Sequence, residues 1–432
     1  MPGHPRSTAT ATATATAGSV APVGQAVRVT TTSTARGRWA AQAGGLPRTF
    51  WYLWSGTLVN RLGSAVGPFL ALYLTEERGF SAGGAGVVLT ALGLGSAVAQ
   101  PVGGVLADRI GRRTTMLLGL VGASATLLVV GAASSLRALL VSVLAYGLFL
   151  DLVRPAVQAA LADVVPDRDR VRAYALNFWA VNLGFAVAVP LGGFLAERGY
   201  WWLFAIDAGS SLAFAVVVFL RVPETRPVRL PGSDPGTLAE VLRDRLLLAL
   251  VACVVLQAAV YLQAFTTLPL VISGDGLGAG GYGLVLGLNG VLIIVVQPLV
   301  LGVLSGRHRG RLLLLAGVLQ SCGIALHGFA DTLLGHVTVV CVWTVGEVLQ
   351  AGLLASVVAG LAPAHLRGRY LGVFGMSFGL AALVAPLLGT QVLERLGEPV
   401  LWAGCAVAGS VSGFGLLLVS GVADRRSGSV RL

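Results

Sequence analysis

The chain has 432 residues, 55% of them hydrophobic and 11% charged, with a mean hydropathy of +0.82. A soluble domain carries about 25% charged residues, so this composition excludes a water-soluble globular protein and requires apolar surface against lipid. The net charge of +11 does not point to nucleic acid, because all 30 basic residues are Arg, gathered in short loops rather than along one face.

Taken in chain order, residues 1–45 are rich in Ala, Thr, Gly and Pro and read as a disordered tail on the cytoplasmic side. They lack the continuous apolar run of roughly 7 to 15 residues that a secretory signal needs. Twelve apolar stretches follow, each long enough for a ~30 Å hydrocarbon layer. They cover residues 50–74, 82–106, 114–134, 138–162, 173–196, 200–222, 246–272, 282–304, 311–330, 335–361, 370–392 and 400–421. Between the sixth and seventh, residues 223–245 carry Pro223, Pro227, Pro231 and Pro235 and then a short polar helix candidate at Thr237–Arg245, which marks a linker. The expected organisation is a six-helix bundle over 46–222, the linker, a second six-helix bundle over 246–422 and a tail over 423–432. Cys253, Cys322, Cys341 and Cys405 all fall inside apolar stretches and read as packing residues; no metal spacing or disulfide framework is present.

The Arg residues divide by side. With the N-terminus in the cytoplasm, the tails and the loops on that side hold 24 of the 30, while Arg78, Arg137, Arg198 and Arg395 lie opposite. This places both termini in the cytoplasm and the chain in the cell membrane.

An internal repeat lies at an offset of 197 residues: Gly79–Pro101 and Gly276–Pro298 agree at 11 of 23 positions. GVLADRIGRR at Gly104–Arg113 is echoed by GVLSGRHRGR at Gly302–Arg311, and LAERG at Leu195–Gly199 by VLERLG at Val392–Gly397. The offset spans six helices, an even number, so both copies enter the membrane from the same side. Parallel repeats of this kind can rock about a central cavity, which points to a carrier rather than a channel or an enzyme.

The Gly104–Arg113 segment resembles the signature of the major facilitator superfamily between its second and third helices, and the resemblance extends over roughly residues 50–422. It implies an all-α membrane fold of twelve transmembrane helices in two parallel-repeat six-helix bundles. It also implies a gating latch built from Gly104, Asp108, Arg109, Gly111, Arg112, Arg113 and Asp163. In that latch Asp108 faces the N-terminus of the eleventh helix near Tyr370 and Arg112 pairs with Asp163. Other features depart from the proton-coupled drug carriers: Val143 stands where their fourth helix has Arg, Tyr146 where it has Gln, and the fifth helix reads NLGFAVAVPLGG with its proline one place late.

Charges deep in the spans each cost about 2.5 to 3.5 kcal/mol to insert. Arg61, Asp151, Arg154 and Glu347 are therefore expected to line the central cavity, with Glu347 or Asp151 exchanging protons. Glu347 has Gln350 as the one polar neighbour on its own helix. Asn60, Asn177, Asn182, Gln257, Tyr261, Gln263, Asn289 and Gln350 sit at cavity depth and are candidate substrate contacts or interhelical glue. Asp207 and His327 read as packing or interfacial groups. The expectation is a monomeric secondary transporter that exports a small organic compound in exchange for protons, with no cofactor and no nucleic-acid partner. Uptake of a sugar, amino acid or other metabolite by the same fold is the alternative. A membrane enzyme or receptor is the remote one, since the chain has no phosphate-binding loop with Lys and no His-Glu-x-x-His.

Overall fold

The computed structural model describes residues 45–225, 238–304, 308–350, 353–363 and 366–427. The proposed tail and most of the proline-marked linker lie outside these. Among the described residues the fold is entirely helical: α1 Arg48–Gly63, α2 Val66–Leu72, α3 Ala82–Arg109, α4 Arg112–Ala132, α5 Leu136–Val164, α6 Arg170–Ala196 and α7 Trp201–Arg221, then α8 Leu238–Val241, α9 Arg245–Tyr261, α10 Gln263–Thr266, α11 Leu268–Gly274, α12 Gly278–Leu304, α13 Arg309–Ala325, α14 Leu333–Gln350, α15 Leu353–Leu361, α16 Arg367–Leu396 and α17 Glu398–Ser427. Eleven continuous segments are long and apolar enough to cross a membrane. The first crossing is assembled from α1, α2 and the wide turn Tyr73–Glu77.

That first crossing breaks at Ser64–Ala65, which apolar content alone does not reveal. The break frees the backbone N–H of Val66, and the carboxylate of Asp207 on α7 accepts it at 3.4 Å. Asn60 donates to Ser211 at 2.8 Å, and Ser210 donates to the Asn60 carbonyl. Asp207 and Asn60 thus join α1 to α7, because backbone groups left open in hydrocarbon must find a partner. The seventh crossing is interrupted in the same manner. Gln263 donates to the carbonyls of Ala259 and Ala385 and accepts from Thr266 and Thr267.

Helices α3 and α5 pack together, as do α4 with α5 and α7, and α1 with α6 and α7. The same pairings recur six crossings later, where α12 packs on α14, α13 on α14 and α17, and α9 on α16 and α17. The two sets meet along α3 with α16 and along α6 with α12. The start of α1 and the end of α17 lie on one face, called here the terminus face; the opposite one is the far face.

The α3–α16 contact is tight towards the far face. A side chain on Gly93 would overlap the Ala382 carbonyl, and Gly379 lies against Ala97. Towards the terminus face the helices part: at Gly104, Gly372 and Gly375 no described atom lies within 4 Å of where a Cβ would stand. The bundle is closed on the far face and splayed on the terminus face.

Candidate functional site: a cavity, its closure and two polar centres

On the terminus face Arg112 is the hub of the predicted motif. It is 6% exposed, and its guanidinium meets Asp108 at 2.8 Å, Asp163 at 3.0 Å and the Ala107 carbonyl at 2.6 Å. Gly111 turns the chain with φ 103°, a left-handed value open to glycine, and the Glu224 carboxylate packs where its Cβ would be. Glu224 accepts the backbone N–H of Arg112 at 2.6 Å and, at 3.4 Å each, those of Arg113 and Thr114, so it caps the positive end of α4. Arg113 donates to the Phe219 carbonyl and lies over the Phe219 ring. Asp108 was expected to face the start of α16. Among the described residues its side chain is half-exposed and paired with Arg112, one turn along. Gly104 faces open space, and Arg109 ends α3 exposed.

The far face is closed by carboxylates that reach across the two helix sets. Glu76 accepts from Tyr200 at 2.6 Å and from Ser273, beyond the linker, at 2.5 Å. Burial first, then the hydrogen bond to Glu76 and its charge, hold the Tyr200 phenol well above its ordinary pKa. Glu394, at the end of α16, accepts the backbone N–H of Gly83 at the start of α3. Glu197, just past α6, lies against Gly280 at the start of α12. Glu394 and Glu197 each sit at the positive end of a helix from the other set, and these two pairs obey the 197-residue offset seen in the sequence.

Between the two faces lies a cavity of about 260 Å³. Its wall comprises Val254, Gln257, Ala258 and Tyr261 of α9, Gln320 of α13, Glu347 and Gln350 of α14, Leu354 of α15, Phe374 and Phe378 of α16, and Phe178 of α6. Glu347 is the acidic group in this lining. Its carboxylate accepts from Asn289 at 2.8 Å and from the Tyr261 hydroxyl, while Asn289 also donates to Thr344 at 3.0 Å. The partners of Glu347 therefore come from α9 and α12, not from Gln350 on its own helix. Gln257 donates to Gln320 at 2.8 Å. Gln257 Oε1 and Gln350 Nε2 are buried with no bond among the described residues.

A second polar centre lies in the first set of helices, where Arg61 has Arg154, Asp151 and Asp207 as its charged neighbours and the Tyr146 hydroxyl beside them. No ion pair within 4 Å joins Arg61, Asp151 and Arg154 among the described residues, although Asp151 and Arg154 share a helix face. The cavity wall described above includes Glu347 but not Arg61, Asp151 or Arg154, and Glu347, held by Asn289 and Tyr261, is not among the groups around Arg61. Of the polar candidates, Gln257, Tyr261 and Gln350 line the cavity and Asn289 supports Glu347. Asn60 and Gln263 have their bonds in helix junctions, Asn182 donates to the Phe178 carbonyl of its own turn, and Asn177 is buried with Oδ1 unbonded. Sequence reasoning missed Gln320, Phe178 and the Phe374–Phe378 pair; the last two stand one turn apart, a spacing that signals a shared aromatic face.

The model of the Major Facilitator Superfamily matches residues 53–386. The uncharacterized MFS-type transporter YqjV of Bacillus subtilis is 26% identical over 80% of this chain and 87% of its own length. The Na(+), Li(+), K(+)/H(+) antiporter of Planococcus maritimus is 24% identical, covering 74% and 83% respectively. The quinolone resistance protein NorA of Staphylococcus aureus is 28% identical over a shorter stretch, 35% of this chain and 39% of NorA. Among solved structures, a POT family transporter in complex with 5-aminolevulinic acid superposes with a TM-score of 0.76 at 14% identity, covering 87% of this chain and 97% of that one. The human organic anion transporter MFSD10 gives 0.64 at 21% identity, covering 86% and 100%. At these identities the structures speak for the fold alone.

Proposed function

The chain belongs to the major facilitator superfamily and is a multi-pass membrane transporter; from that premise we propose that it exports a small amphiphilic organic cation in exchange for a proton. The observation that carries this reading is Glu347. It is a carboxylate in a cavity otherwise lined by aromatic rings, glutamine amides and apolar groups. Rings and a carboxylate together attract a desolvated cation. Gln257, Gln320 and Gln350 add polar side chains to the same wall.

Exchange follows from competition. A carboxylate in a dry cavity is stable when neutralised, either by a proton or by the cation, and the two cannot share it. Each would therefore expel the other, and a carrier that reorients only when the site is neutral couples their movements. Arg distribution supports both termini and the splayed face lying in the cytoplasm, so that the far face is external. The relatives named as an antiporter and as a resistance protein support exchange and export as a direction. Glu76, Glu197 and Glu394 would then form the external closure, and the Asp108–Arg112–Asp163 cluster the internal one.

Purified protein in liposomes tests the reading with tetraphenylphosphonium as the probe cation. Interior acidification of correctly oriented vesicles should drive uptake, and dissipating the pH gradient should abolish it. Gradient-independent uptake of sugars or amino acids in the same vesicles would favour the alternative of a metabolite carrier.

A further inference from the structure

At the far end of α13 and α14 the structure buries two imidazoles against each other. His327, in the short helical turn Leu326–Phe329, and His336 of α14 are both 0% exposed. Their Nδ1 atoms are 2.9 Å apart. His336 Nε2 lies 3.0 Å from Asp275 Oδ2, and the Trp343 indole N–H donates to His327 Nε2 at 3.2 Å.

The two ends of this chain fix its direction. Indole N–H can only donate, so His327 Nε2 must be the acceptor and its Nδ1 must carry the hydrogen. His336 Nδ1 then accepts, its Nε2 carries the hydrogen, and Asp275 receives it as a carboxylate. Every hydrogen-bonding position is filled with both imidazoles neutral and of opposite tautomer.

A proton on Asp275 Oδ1 leaves Oδ2 to accept from His336 and disturbs nothing, but a proton added to an imidazole cannot be accommodated without breaking a bond. On His327 it sets Nε2–H against the indole N–H. On His336 it sets two Nδ1–H groups against each other, a conflict relieved when the His327 hydrogen moves to Nε2, which again opposes the indole. For a proton on either imidazole, beside the Asp275 carboxylate, the bond that can yield is the one to Trp343. The gain is electrostatic: the cluster passes from one net negative charge to none in a surrounding that penalises charge.

We propose that Asp275, His336 and His327 form a proton-binding site, separate from Glu347, that takes one proton from the far face and releases Trp343. Entry is through Asp275, the partly exposed member, whose side chain is 22% accessible. The surroundings supply no competing charge. α17 presents the Trp402 ring to His327, Asp331 in the turn between the imidazoles is exposed, and Glu398 at the start of α17 bonds to neither imidazole among the described residues. The release has a route inwards. Trp343 stands one turn from Glu347 on α14, and its ring lies 6.2 Å from that of Tyr261, whose hydroxyl holds Glu347. The site stands on this hydrogen-bond geometry and does not require that Glu347 carry the coupled proton.

Histidine and indole nitrogen NMR of the full-length protein in lipid nanodiscs tests the site, with signals assigned by His327→Gln and His336→Gln. At pH 8 the pair should show two neutral rings of opposite tautomer. Acidification to pH 5 should add one proton to the cluster and move the Trp343 indole N–H with the same midpoint. Asp275→Asn, at a partly exposed loop position, should lower that midpoint by about 1 to 3 pH units through loss of the adjacent negative charge. A cluster that takes up no proton by pH 5, a Trp343 signal that stays fixed while the imidazoles titrate, or a midpoint unmoved in Asp275→Asn would each overturn the proposal.

Discussion

Replacing Glu347 by Gln removes the ionisable group and retains the amide oxygen that Asn289 and Tyr261 can bond. If one carboxylate exchanges one proton for one monovalent cation, the cycle moves no net charge. A gradient of one pH unit then supplies about 1.36 kcal/mol and sustains about a tenfold accumulation of the probe. Vesicles with that gradient should hold about ten times the external tetraphenylphosphonium, with the level indifferent to an imposed membrane potential. In Glu347→Gln the accumulation should fall to unity. Exchange of labelled for unlabelled probe at equal pH should be lost as well, because the amide leaves a bound cation unneutralised, and binding itself should weaken by a charge-assisted contact of about 1.5 to 3 kcal/mol. The melting temperature should change little, since the bonds to Asn289 and Tyr261 survive. Full gradient-driven accumulation by Glu347→Gln, or accumulation by wild type that tracks membrane potential, would refute the reasoning.

The conformational elements give further expectations. Gly375→Trp should leave probe binding intact and stop transport, because its side chain would fill the space that α3 and α16 must close on the terminus face; wild-type flux in this variant would contradict the splayed geometry. Asp163→Asn should lower the melting temperature and cost about 3 kcal/mol or somewhat less, since Arg112 is buried but keeps Asp108 and the Ala107 carbonyl; an unchanged melting temperature would remove Arg112 from its role as hub. Glu394→Gln should shift the equilibrium towards far-face opening by about 1 kcal/mol, near fivefold, read from the distance between spin labels at the ends of α3 and α16; an unaltered distance distribution would leave that carboxylate without a closing role. Single cysteines placed in residues 223–245 should react with impermeant reagents only from the cytoplasmic side, and labelling of sealed cells from outside would reverse the assigned orientation.

The crossings were legible because twenty apolar residues have few other uses. Even so, the break at Ser64–Ala65 lay hidden inside an apolar window, and only Asp207 opposite Val66 accounts for it. The Arg112–Asp163 pair was implied by the resemblance of the Gly104–Arg113 segment to the family signature, and the two groups meet at 3.0 Å. The pairing of Asp108 with Arg112 was less legible, because the resemblance directed Asp108 to another helix although the two residues stand one turn apart. Glu347 was visible as an isolated charge, but its partners Asn289 and Tyr261 come from other helices whose rotation hydropathy does not specify. His327 looked like packing in isolation. Its chemistry appears only when the turn between α13 and α14 folds His336 against it and the α11–α12 junction brings Asp275.

The carboxylates Glu197 and Glu394 fasten opposite flanks of the molecule, each reaching from the tail of one helix to the head of another in the facing set. Fasteners arranged on both sides of a seam resist twisting as well as parting. Slipping one alone would skew the halves and strain the other, so the low-energy motion is the tilt that lifts both together. Such a closure behaves as a single threshold rather than two independent catches. Weakening either side should therefore change how often the far face opens without creating a half-open, leaking intermediate.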